Sequence, residues 1–383
     1  MPPTASRMKK PAAARAKTPP LLAGRLSAFR ARLRAAALDA ALVTEPVNVR
    51  YLTGFVGEDS WLLVFAAGHP IILSDSRFTT QIQRESPHSM TLIRKGAMSD
   101  AVKQAIGKRR VATLGLPEDD FTLSQRKKLA AAFRGTGVQL KPFADRLAEQ
   151  RATKSDDEVK RIVRAGRIQQ RAYEETLAFL EPGLTEAQVA AHLEYRMRDL
   201  GADGVSFPTI VAADANAALP HAIPGPRKIK KGSLVLIDWG AKFQGYCSDM
   251  TRVIALGKMK PKLREIFQIC LDAQLAAIDV IAPGVSLRDV DEAARAVIRD
   301  AGYGEYFGHG LGHGLGLDIH EEPRLSPLAP EKGVLKPGHV VTVEPGIYLP
   351  GLGGVRIEDD VLVTDDAHCV LTDLPKDLPS AII

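Results

Sequence analysis

Five side chains of the kinds that ligate metals stand in three short glycine-rich stretches of the C-terminal half. Asp238 and Asp249 lie in VLIDWGAKFQGYCSDMTRV, His313 in FGHGLGHGLGLDIHEEP, and Glu344 and Glu358 in VVTVEPGIYLPGLGGVRIEDD. Four carboxylates and one imidazole match a structural zinc site poorly, because such sites favour Cys and His. They suit a pair of divalent cations about 3.5–4 Å apart, bridged by shared carboxylates and a water, which is an arrangement for hydrolysis. Oxygen-rich ligation with one imidazole points to Mn²⁺, with Co²⁺, Fe²⁺ and Zn²⁺ as alternatives. His309, His313 and His320 fall within 12 residues of glycine-rich sequence, where the backbone can approach a metal or substrate closely. His69, His88, His192, His339 and His368 lack such surroundings and read as structural or solvent-exposed. Cys247 precedes Asp249 by two residues and would share its face on a strand. It reads as a small buried residue, since a thiolate would bias the site towards softer metals.

The elements that must position these groups can be read around them. Residues 234–238 are a β-favouring apolar run, and a bare carboxylate at its end is costly unless paired or metal-bound. Residues 237–249 predict a hairpin turning at Gly245, with Asp249 on the return strand. Residues 340–344 and 355–358 repeat the arrangement. Upstream, PGLTEAQVAAHLEYRMRDLG and PGVSLRDVDEAARAVIRDAG align at a constant offset of 101 residues, ending at Gly201 and Gly302. Each leads to an HxxP, His221 with Pro224 and His320 with Pro323, and then to a carboxylate-bearing strand closed by glycine. That order predicts a duplicated α/β unit whose halves present matching acids to one centre. Ser155 followed by Glu158 is a capping-box pattern opening a helix that stops at Pro182 and Gly183. Earlier, residues 21–43 read as a helix, residues 61–68 and 70–77 as neighbouring strands, 111–116 as a buried strand and 124–133 as a helix. Residues 21–145 therefore read as a compact α/β domain, without a phosphate-binding loop.

Composition sets the outer limits. A chain of 383 residues with 45% hydrophobic and 25% charged residues is long enough for two domains of an ordinary globular protein. No apolar run approaches the roughly 20 residues that span a bilayer, so no membrane role is expected. Cys247, Cys270 and Cys369 form no CxxC, which points to a reducing, cytoplasmic setting. Nine basic residues precede the first acid, Asp39, leaving 42 bases against 45 acids in the remainder. The net charge of +6 therefore belongs to the N-terminus, and nucleic acid is not an expected partner. Residues 1–20, rich in Pro, Ala and Lys, read as a disordered basic leader. They share the acid-free composition of organelle transit peptides, but a solvated tail is the reading taken.

HGLGHGLGLDIHE, together with GVRIED and VLIDWG…CSDMTR, closely resembles the Xaa-Pro peptidases, aminopeptidase P and prolidase, of the pita-bread metallopeptidases. Methionine aminopeptidase and creatinase belong to the same group. The likeness is strong over about residues 150–383, while the N-terminal part is similar to the creatinase-type domain of this family. The resemblance implies an α/β (α+β) fold, with a creatinase-like domain over residues 21–148 and a duplicated pita-bread catalytic domain over 149–383. It implies a homodimer holding two divalent ions per chain and cleaving peptides with proline at the second position, by a water activated between the ions. It makes Asp238 a chelating ligand of one ion, Asp249 and Glu358 bridging ligands, and His313 and Glu344 the ligands completing the second ion. His221, His309 and His320 match the histidines that contact substrate and the developing oxyanion, and Arg356 matches a supporting arginine. Glu344 is the candidate to accept the proton of the water. A methionine aminopeptidase, a creatinase-like amidinohydrolase and a non-enzymatic binding protein on the same fold are the competing readings. Aminopeptidase and dipeptidase are not distinguished by the sequence.

Overall fold

The computed structural model describes residues 16–107 and 109–383. Most of the basic leader therefore lies outside the described residues, and regular structure begins at Pro20. The chain separates into two compact units between Leu147 and Ala148. None of the described helices is long and apolar enough to cross a membrane.

Among the described residues, the first unit carries a six-stranded sheet in the order β4-β3-β2-β1-β5-β6. The strands are β1 (Ala40–Val43), β2 (Trp61–Phe65), β3 (Ile71–Ser74), β4 (Met90–Ile93), β5 (Thr113–Pro117) and β6 (Gln139–Phe143). Helices α1 (Pro20–Ala35), α2 (Pro46–Thr53), α3 (Thr79–Glu85), α4 (Met98–Ile106) and α5 (Leu123–Phe133) accompany it. Leu42, Leu63, Leu73 and Leu114 of the sheet share a core with Val102 of α4 and Leu129 of α5. The single helix expected over residues 21–43 is corrected here. It ends at Ala35, the chain turns through Ala37 at φ 51°, and Ala40–Val43 becomes a central strand. Asp39 secures the switch, its carboxylate accepting the N–H groups of Ala112 (2.8 Å) and Thr113 (2.9 Å) at the start of β5. Alanine's helix preference is only a weak prior, and pairing on both edges within a buried sheet overrides it.

The second unit opens within the short helix α6 (Leu147–Ala152). It contains α7 (Asp156–Phe179), α8 (Glu186–Asp199), β7 (Gly204–Val205), β8 (Ile210–Ala213), β9 (Leu234–Trp239), β10 (Ala241–Phe243), β11 (Tyr246–Cys247) and β12 (Met250–Ala255). Next come α9 (Pro261–Asp279), α10 (Leu287–Asp300), β13 (Gly312–Gly314), β14 (Glu321–Leu325), β15 (Val340–Val343), β16 (Gly346–Leu349), β17 (Gly353–Arg356), β18 (Asp359–Val363) and β19 (His368–Val370). The duplication is visible element by element. Helices α8 and α10 are each 14 residues long, begin 101 residues apart, and are capped by Thr185 and Ser286 side chains at equivalent positions. The antiparallel set β8-β9-β12 corresponds to β13-β15-β18. Glu158 accepts the Ser155 backbone N–H at 3.0 Å, so the capping-box acid does secure the start of α7.

β9 shows why its sequence reads as a continuous apolar run. Val235, Ile237 and Trp239 face a core with Leu193 and Met197 of α8, whereas Leu234 and Leu236 face the core of α9 and α10. A strand buried on both faces has no polar alternation. Asp238 has the parity of Leu234 and Leu236 and so points to the side where the second half's strands lie. The simple hairpin expected over residues 237–249 needs correction. β10 and β11 form a small hairpin through Gln244 and Gly245, both at positive φ, and β12 then pairs with β9. Asp249 sits in the link between them. The second half repeats this with β16-β17 inserted before β18 pairs with β15, leaving Glu358 in the equivalent link. The inserted hairpins free each acid from the regular ladder.

Candidate metal centre

All nine residues singled out in the sequence line one cavity of about 850 Å³ in the second unit: His221, Asp238, Asp249, His309, His313, His320, Glu344, Arg356 and Glu358. Phe207, Ile223, Ile319 and Leu328 add apolar surface to its lining, beside Glu322 and Arg324. The size and lining are those of a small-ligand site.

At the floor, Asp238, Asp249 and Glu358 are buried, and one carboxylate oxygen from each lies within 4.8 Å of the others. His313 Nε2 stands 3.3 Å from Glu344 Oε1 and 3.8 Å from Asp249 Oδ2. His313 can be placed here because glycine flanks it on both sides. A Cβ on Gly312 would lie 2.0 Å from Thr342 O, and one on Gly314 would lie 2.1 Å from Glu322 O. His313 Nδ1 is 3.1 Å from Gly314 O, so its proton belongs there and the Nε2 lone pair faces the carboxylates.

Neighbouring polar groups orient the acids. Thr251 Oγ1 donates to Glu358 at 2.6 Å and Thr342 Oγ1 to Glu344 at 3.2 Å. Asp360 accepts the backbone N–H of Asp249 at 3.1 Å. Arg252 donates to Glu358 O at 2.6 Å and is itself paired with Asp359 at 2.7 Å. Arg356 donates to Asp238 at 2.6 Å, to Thr251 Oγ1 at 3.0 Å and to the Tyr348 hydroxyl at 2.8 Å. Tyr348 in turn lies 2.9 Å from His309 Nε2. The His320 ring meets that of His313 edge-on at 4.5 Å, and its chain neighbour Glu321 is a buried acceptor for Arg151 (3.1 Å) and Lys154 (3.2 Å).

The electrostatics follow from crowding anions where water is excluded. Burial, then repulsion from Glu358, Asp238, Asp360 and Glu344, raises the Asp249 carboxyl well above its ordinary range. Burial, then Glu344 and Asp238, does the same to Glu358. Burial raises Asp238 despite Arg356, and pushes Glu344 up to about 7. His313, by contrast, is held down at about 3 by burial and His320, and is neutral across the physiological range. Asp238 Oδ1 and Asp249 Oδ1 are buried without a hydrogen-bond donor among the described residues. Such oxygens can only share a proton or meet a cation. The donor set fits divalent ions of oxygen preference, with one neutral imidazole.

Sequence reasoning missed Tyr348, Thr251, Thr342 and Asp360. Tyr348 lay in the quoted GIYLPG stretch, but an aromatic in a β-favouring run carries no sign of a polar task. Cys247 is buried, its thiol pushed up to about 12 by burial.

The model of metallopeptidase family M24 matches residues 160–365, and that of the creatinase/prolidase N-terminal domain matches residues 25–153. The uncharacterized peptidase YqhT of Bacillus subtilis (strain 168) is 36% identical over 341 residues, covering 89% of this chain and 95% of its own. Among solved structures, the Xaa-Pro dipeptidase from Bacillus anthracis superposes with a TM-score of 0.89 at 36% identity, covering 94% of this chain and 100% of its own. The X-Pro aminopeptidase from Thermotoga maritima MSB8 does so with a TM-score of 0.84 at 34% identity, covering 92% and 100%. More than half of the chain falls inside the peptidase model and relatives align along nearly its full length, so the chain belongs to metallopeptidase family M24, with a creatinase/prolidase N-terminal domain preceding the peptidase domain.

Proposed function

We propose that this peptidase is a dinuclear metal enzyme that hydrolyses the bond preceding proline, at the N-terminus of peptides or in dipeptides. The observation that carries this reading is the buried triad Asp238, Asp249 and Glu358, with two carboxylate oxygens lacking a donor among the described residues, beside His313 and Glu344. Asp238 would chelate one ion, Asp249 and Glu358 would bridge, and His313 with Glu344 would complete the second. Two such cations would supply polarisation of the scissile carbonyl and a water acidic enough to ionise near neutral pH.

The chain's own groups do the rest. Glu344, poised near neutrality by burial, accepts a proton from the attacking water and passes it to the leaving nitrogen. A proline nitrogen in a peptide bond bears no hydrogen and must receive one to leave. His320 and His221 face the carbonyl oxygen and stabilise its developing charge. Arg356 holds Asp238 and, through Tyr348, the His309 ring. The apolar surface of Phe207, Ile223 and Leu328 suits a pyrrolidine ring, and the solved Xaa-Pro peptidases support the same specificity. Mn²⁺ as the working ion, a homodimer and a cytoplasmic setting belong to this reading. The oxygen-rich ligand set supports the first, and three free cysteines support the last.

Purified protein should turn over Ala-Pro or Ala-Pro-Ala with Mn²⁺ and leave Met-Ala intact. Preference for the dipeptide identifies a dipeptidase, and preference for the tripeptide an aminopeptidase. Faster turnover of Met-Ala, or full activity in rigorously metal-free protein, overturns the proposal.

A further inference from the structure

His221 stands on an arm that leaves β8 at Ala213 and runs to Gly225. Pro220, His221, Ala222, Ile223 and Pro224 of this arm line the cavity, so it forms a whole wall of the site. Its only regular structure among the described residues is a 3₁₀ turn, Asp214–Ala218, and Ile223 is 88% exposed. Such a segment needs an external hold if it is to present an imidazole at a fixed place.

Asp214 accepts Ser233 Oγ at 2.9 Å and the Leu234 N–H at 3.1 Å, and Arg356 donates to Pro220 O at 3.4 Å, but one side chain ties the two ends of the arm together. Glu186, the first residue of α8, is fully buried. Its Oε1 accepts the Ala213 N–H at 2.7 Å and Asn216 Nδ2 at 2.9 Å. Its Oε2 accepts the Gly225 N–H at 3.1 Å and Asn216 Nδ2 at 3.1 Å. Both ends of the arm and its 3₁₀ turn thus meet on two oxygens, and an ionised carboxylate is the side chain that only accepts. The duplication supplies an internal control. The equivalent position in α10, 101 residues on, is Leu287, buried in the apolar core. Burial at this point of the helix therefore does not itself require an acid, so the acid in α8 serves the arm.

We propose that Glu186 is a positioning residue that clasps residues 213–225 and thereby sets His221 against the substrate. This rests on reading the chain as an Xaa-Pro peptidase with His221 at the scissile carbonyl. The test compares Glu186→Gln, Asn216→Ala, His221→Ala and the double variants with His221→Ala, all as full-length Mn²⁺-loaded protein. Gln keeps the shape but turns an NH₂ towards donors; Asn216→Ala removes two of the bonds without touching the helix, and carries the test should Glu186→Gln not fold.

Three readouts are expected. Metal content stays at the wild-type level. Hydrogen exchange accelerates across residues 213–225 and not elsewhere. The kcat/KM on Ala-Pro falls about tenfold, the scale of a slightly misplaced group, and falls by less than twofold when His221 is already alanine. Unchanged exchange in the arm overturns the clasp, and a tenfold loss that persists in the His221→Ala background overturns its link to His221. If wild-type protein does not cleave Ala-Pro, the peptidase reading fails instead, and the exchange measurement still decides whether Glu186 holds the arm.

Discussion

At the scale of single residues, the centre is a set of acids that cannot all be ionised without a cation. Asp249 and Glu358 have carboxyl pKa values raised well above the ordinary range by burial and mutual repulsion. Between the unfolded value of about 4 and those raised values, the metal-free native state binds more protons than the unfolded chain, so its stability falls as pH rises. Ions must displace those protons, whereas His313, held at about 3, has none to lose. Mn²⁺ loading near pH 7 should therefore release protons, measured by titration calorimetry in buffers of different ionisation enthalpy, and affinity should rise with pH. Heat that does not depend on the buffer would contradict this. Substitutions should separate ligand from substrate contact. Asp249→Ala should lose both ions, whereas His320→Ala should keep them and lower kcat by about 10²–10³, the loss of one oxyanion donor. Metal analysis beside kinetics checks both, and loss of metal from the His320 variant would make it a ligand. The acids and histidines were legible in the sequence because chemistry-bearing residues in glycine-rich surroundings stand out. Thr251, Thr342 and Tyr348 were not, because a hydroxyl acquires its task only from the partner that folding brings to it.

At the scale of elements, the glycines around His313 show how closely strand spacing and metal geometry are joined. Gly312→Ala would drive a methyl into Thr342 O, 2.0 Å away, on the neighbouring strand. The strand pair must part, with an expected cost of about 1–3 kcal/mol for overpacking and displacement of His313. Thermal unfolding should show a lower Tm and metal analysis a reduced content. A variant with both unchanged would mean that the β13–β15 spacing does not position the histidine. Element existence was readable where periodicity or capping was strong, as in α7, α8 and α10. The Ala-rich β1 was misread because only its pairing with β2 and β5 makes it a strand. The acid-bearing hairpins were read as simple because sequence gives no sign that β10-β11 and β16-β17 are offset from the ladders they interrupt.

At the scale of the whole molecule, each unit has its own core, and the basic leader falls mostly outside the described residues. Deleting residues 1–15 should leave kcat/KM on Ala-Pro unchanged at low and high salt. A several-fold loss confined to low salt would show instead that the leader steers substrate electrostatically. The internal repeat was the most far-reaching feature readable from sequence, since it implied paired acids before any strand was seen. It also sets a problem of direction. Asp238 and Glu344 are counterparts, as are Asp249 and Glu358, so the floor of the site looks much the same from either half, while a peptide has an N-terminal and a C-terminal end. Polarity must then be read where the halves differ. The strand registers place Ala212 of β8 where β13 carries His313, and α8 carries Glu186 where α10 carries Leu287. These departures from symmetry give the cavity a front and a back, which two matching halves alone would lack.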